Sequence, residues 1–150
     1  MRRSRQIFLA ITLAIGATAC DESLSTLAGP TPDLEATFSS IQTNIFETTD
    51  SAGRNACVNC HNNNGGRVPS GGLNLLHDVA YDQLVNVNST QIPSLKRVNP
   101  GNPEDSYMVH KMEGRAGIVG RRMPFNGPPY LTDGQIQIVK RWIELGALRN

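Results

Sequence analysis

Cys57-Val58-Asn59-Cys60-His61 sets two thiols three positions apart, with an imidazole directly after the second. The 150-residue chain has only three cysteines, so a long-range disulfide framework is excluded and this pair must act locally. Four chemistries use such a pair. A thioredoxin-like redox site needs a βαβ setting, and no strand-like alternation of useful length occurs here. A zinc site needs further ligands; His77 and His110 are available, but neither forms a paired motif. A local disulfide leaves His61 without a part. The fourth chemistry, covalent attachment of a c-type haem, uses all three residues. Each thiol adds to a vinyl group on one edge of the porphyrin, and the adjacent histidine presents a ring nitrogen to the iron.

Upstream, Met1-Arg2-Arg3-Ser4-Arg5 is a positive segment, and Ile7 to Ile15 is an apolar run too short to span a bilayer. Small residues then lead to Cys20, the layout of a secretory signal. Ala17-Thr18-Ala19-Cys20 resembles the lipobox of bacterial lipoproteins, which implies cleavage before Cys20 and its acylation. Loss of residues 1–19 removes three arginines and no acid, leaving 11 basic against 13 acidic residues, about −2. Such a chain offers no basic face for nucleic acid and no basic attachment to a membrane. The anchor that the lipobox resemblance implies is the lipid, which holds stably when two or more acyl chains share one residue. Residues 20–33 read as the lipidated cysteine and a flexible tether rich in Ser, Thr, Gly and Pro, reaching about 20 Å as a coil. Residues 34–150 read as one domain with one core.

Helical signals recur along that domain. Thr31 reads as a cap, with Pro32 in the first turn and Asp33 and Glu35 at the positive end of the dipole. Leu34, Phe38, Ile41 and Ile45 fall at helical spacing, with Phe46 beside them. A short helix is expected from Asp78 to Val85, directing Tyr81 and Leu84 inward. Asn102 caps another, with Pro103 in its first turn and Gly114 as its stop. Thr132-Asp133-Gly134-Gln135 fits a capping box opening a last helix, with Ile136, Val139 and Ile143 as its stripe and Ile138, Trp142 and Leu145 alongside. Asn62–Gly72 and Gly114–Pro129 are loops. The expected fold is all-α, with small helices and long loops that need a buried flat cofactor to pack around.

From about Leu34 to Leu148 the sequence resembles a small class I cytochrome c. The resemblance rests on an apolar helix leading into Cys57-x-x-Cys60-His61, on Met123-Pro124 in a loop, and on a last helix with Trp142-Ile143 and Gly146-Ala147. It implies one haem c, first and last helices that cross over one haem edge, and contact of Phe46 or Phe38 with Trp142 or Val139. It also implies His61 and Met123 as iron ligands, and a proline carbonyl, here Pro69, as the acceptor for the second His61 nitrogen. A thioether makes sense as a soft ligand that favours reduced iron. Met108, Met112, His77 and His110 are the rival positions; Met108 and Met112 read more simply as core, and His110 as solvated. Arg67, Arg121 and Arg122 are candidate partners for the haem propionates. The leading expectation is a monomeric electron carrier and not an enzyme. It is exported, tethered by lipid to a bacterial membrane facing the periplasm or the outside, and exchanges electrons with partner proteins. The alternatives are a haem enzyme or sensor with an open sixth site, and a structural subunit of a larger membrane assembly.

Overall fold

A computed structural model describes Gly29, Thr31 and residues 33–150. The expected signal at 1–19, Cys20, Pro32 and most of the tether lie outside the described residues. Within the described part the chain is a small, mostly helical domain with four α-helices and no β-strand. Three isolated bridges (Val85 with Val98, Asn88 with Lys96, Lys96 with Ser106) are its only β-type pairing among the described residues.

The first helix, α1, covers Phe38–Ile41 and continues as a wider π turn over Gln42–Phe46. Its cap is Thr37, whose hydroxyl accepts from the Ser40 amide, and not Thr31 as expected. Two competing bonds explain the later start. The Thr31 hydroxyl is taken by Gln135 Nε2 at 2.7 Å, and the Glu35 amide donates to Ser40 Oγ at 2.9 Å. The apolar positions nevertheless fall as the spacing requires: Leu34, Phe38, Ile41, Ile45 and Phe46 are all buried.

Helix α2 covers Ala80–Leu84 and α3 covers Tyr107–Glu113. The helix expected from Asn102 is divided. Asn102 caps only a 3-10 turn, Pro103–Asp105, because Ser106 is extended (φ −97°, ψ 111°) and its hydroxyl bonds both the Asn102 carbonyl and the Asn99 amide. The stop is as read: Gly114 adopts φ +73° and closes α3.

Helix α4 covers Asp133–Glu144 and carries the complete capping box between Thr132 and Gln135. It ends in a Schellman motif. The Ala147 amide donates to Trp142 O and the Gly146 amide to Ile143 O, each at 3.0 Å, with Gly146 at φ +99°. Ile136, Ile138, Val139, Trp142 and Ile143 are buried, whereas Leu145 is 51 % exposed. Each such buried side chain stabilises by about 1.5–3 kcal/mol. Phe38 of α1 meets Trp142 of α4 at 5.6 Å between ring centroids and Tyr81 of α2 edge-on at 5.1 Å. This aromatic group joins three helices at one end of the core.

Candidate functional site

A turn built around one buried ion pair precedes the Cys pair. Asp50 accepts from the Ala52 and Arg54 amides and from Arg54 Nε, each at 3.1 Å. The Arg54 guanidinium then reaches the carbonyls of Ile45, Thr48 and Asn55. The last turn of the α1 segment is thereby fixed to the start of Cys57–Asn59, a single 3-10 turn. The His61 amide donates to Cys57 O at 3.0 Å, so the turn continues through the histidine. The Cys57 thiol donates to Ile45 O at 3.4 Å. Burial raises the pKa of this thiol, an effect that the nearby Arg54 charge opposes.

The chain after the motif folds back over His61. The Ser70 amide donates to Cys60 O at 3.2 Å, and the Leu75 amide to His61 O at 2.8 Å. His61 Nδ1 lies 3.3 Å from Leu73 O. A carbonyl only accepts, so Nδ1 carries the proton and Nε2 keeps its lone pair for a ligand bond. Burial lowers the imidazole pKa, and the charges of Arg97 and Lys111 lower it further, although the Leu73 and Ser70 hydrogen bonds oppose this. The partner is thus Leu73 and not Pro69, whose carbonyl receives the Gly72 amide at 2.9 Å. Just beyond Pro69, the Gly-rich loop brings the backbone of Ser70 and then of Leu73 to the imidazole.

Cys57, Cys60 and His61 open onto one cavity of about 500 Å³, inside the range of about 300–1,000 Å³ usual for ligand and cofactor sites. Phe46, Leu75, Leu84 and Leu131 give it apolar walls. Met123 lies on the same wall set, held by its amide, which donates to Lys111 O at 2.8 Å. Met108 and Met112, read from sequence as core, also line the cavity. The two remaining histidines do not. His77 is exposed and pairs with Glu47 at 3.2 Å, and His110 Nε2 is bonded to Glu104 O at 2.6 Å. No group of three or more His, Cys, Asp or Glu able to hold a metal ion is gathered among the described residues.

The arginines singled out from sequence stand elsewhere. Arg121 lies over the Phe125 ring at 5.1 Å, Arg122 lies over Tyr130 at 4.4 Å and donates to Met112 O, and Arg67 is exposed. The cations at the cavity wall are Arg54, Arg97 and Lys111, all buried. Sequence reasoning missed them because nothing in local spacing marks an inward-facing cation.

This donor set fits a covalently held haem. It combines two thiols on one short turn, a histidine whose free nitrogen is Nε2, a thioether on the same cavity and apolar walls for a flat ring. Comparison with protein-family models, with characterised proteins and with solved structures finds no match, so the functional reading rests on the site itself.

Proposed function

We propose that this chain is a c-type cytochrome: an exported electron carrier with one haem c held covalently by Cys57 and Cys60 and ligated by His61 and Met123. The observation that carries the reading is the single apolar cavity onto which both thiols, His61 and Met123 open. When bound, haem supplies a reversible one-electron couple. The rest is the work of the chain. Leu73 O fixes the His61 ring and its tautomer through Nδ1, which sharpens the presentation of Nε2. The thioether of Met123, on the wall of the same cavity, would be the soft ligand that favours reduced iron and leaves no open site for oxygen. Phe46, Leu75, Leu84 and Leu131 exclude water, which also raises the potential. Lipid on Cys20 would hold the domain at a membrane surface, where partner proteins meet it in small, weak encounters.

Met123→Ala tests the ligand assignment and separates a carrier from a haem enzyme or sensor. The variant should retain attached haem while losing the sulfur-to-iron band of the oxidised spectrum, lowering the potential and admitting added imidazole. A spectrum and potential identical to those of the parent would move the assignment to Met108 or Met112.

A further inference from the structure

Three buried cations line the cavity, and they are not equivalent. Arg54 is neutralised by Asp50 at 3.1 Å. Arg97, 7 % exposed, donates only to Gln83 O (2.7 Å), Gln83 Oε1 (3.3 Å) and Gly72 O (3.0 Å). Lys111, 8 % exposed, donates only to Val119 O at 2.8 Å. Neither meets a carboxylate among the described residues, and no Asp or Glu lines the cavity. Carbonyl oxygens satisfy some of the N–H groups but cancel no charge. A guanidinium has five donors and an ammonium three, so each side chain keeps donors to spare. Buried charges left without a counter-charge are strongly destabilising, and native proteins pair them. Two such charges on one cavity therefore call for two negative charges from whatever fills it.

We propose that Arg97 and Lys111 anchor the two carboxylates of the cavity's occupant. The inference rests on the haem reading, under which those carboxylates are the propionates. It assigns both to α3 and to the segment after α2, not to the arginines beside Met123. A fatty acid or other monocarboxylate would leave one cation bare. The apolar walls carry the body of the occupant, and the cations fix which way round it enters. They also set its potential. Removing either cation leaves a propionate charge uncompensated near the iron, which favours the oxidised state.

The test uses the matured holoprotein and the substitutions Arg97→Gln and Lys111→Gln, with Arg97→Lys as the charge-retaining control. Haem attachment is read by mass and the potential by spectroelectrochemical titration. Each Gln variant should keep its haem and show an equilibrium constant for reduction about tenfold lower, a fall of about 59 mV for one electron. Arg97→Lys should stay near the parent. Gln variants with attached haem and the potential of the parent overturn the assignment while leaving the haem reading intact. A parent chain without attached haem overturns both. Should a Gln variant yield no holoprotein, the parent decides the matter through redox-difference infrared spectra with ¹³C-labelled propionates. Carboxylate bands displaced by charged hydrogen bonds support the anchors, and bands at the position of free solvated carboxylates overturn them.

Discussion

Asp50→Ala attacks the turn that presents Cys57. In the native fold the Asp50 carboxylate is 2 % exposed and the Arg54 side chain fully buried, and the carboxylate accepts three hydrogen bonds, from Ala52 N, Arg54 N and Arg54 Nε. The substitution leaves a guanidinium buried among the carbonyls of Ile45, Thr48 and Asn55, with no counter-charge. Breaking a buried pair in this way costs about 3–5 kcal/mol, because the remaining charge is desolvated and uncompensated. With a urea dependence of about 1–3 kcal/mol per molar, the unfolding midpoint should fall by more than 1 M. Removing both charges, as Asp50→Ala with Arg54→Met, should recover part of the loss, since the stranded charge is what costs most. The assay is urea unfolding of the three holoproteins followed by far-ultraviolet circular dichroism. A loss below about 1 kcal/mol for Asp50→Ala would place this pair with ordinary surface ion pairs and refute its role as the fixed point of the motif. A double variant worse than the single one would refute the reasoning about charge.

Gly114→Ala should lower stability by about 1–3 kcal/mol, because φ +73° strains any side chain and the new Cβ would stand 2.9 Å from Arg122 Cδ; an unchanged melting temperature would contradict this. The Glu104 carboxyl is held below the usual range, first by its hydrogen bond from Lys140 at 2.7 Å, opposed by slight desolvation and helped by the Arg115 charge. A depressed folded pKa gives stability that is present above the unfolded value, about 4.3, and lost as pH falls through the folded value. Glu104→Gln should therefore lose less stability than the parent on acidification below about pH 4, most visibly at low salt, and coincident acid limbs in the two melting-temperature profiles would rule the linkage out. Cys20→Ser should abolish incorporation of labelled fatty acid into the expressed precursor; undiminished labelling would remove the lipoprotein reading.

Much of the helical frame was legible because its signals are local. The Thr132–Gln135 capping box and the Gly146 stop are read within four residues, and both form as written. The α1 stripe was legible from periodicity, but its start was not. Thr31 is claimed by Gln135, 104 residues away, and no spacing rule carries that information. Ser106 divides the Asn102 helix through its own hydroxyl, a competition that the pattern of apolar residues does not register. The site divides in the same way. Cys57, Cys60 and His61 are adjacent in sequence and share one wall, and Met123 joins them across the fold. The acceptor for His61 depended on the path of a loop with glycines at positive φ, which reaches the ring at Leu73. The inward cations depended on contacts such as Arg97 to Gly72, 25 residues apart. Met112 belongs to the buried core and Met108 packs against it, as their helical spacing implies, and both also face the cavity, which composition does not distinguish from core.

The decisive measurement is the visible spectrum, oxidised and reduced, of the domain from Thr26 onward after maturation with haem-attachment machinery. A covalent haem with sharp reduced c-type bands and a weak far-red sulfur-to-iron band when oxidised is the predicted result. Correctly exported protein carrying no covalent haem would contradict it and return Cys57, Cys60 and His61 to metal or disulfide chemistry.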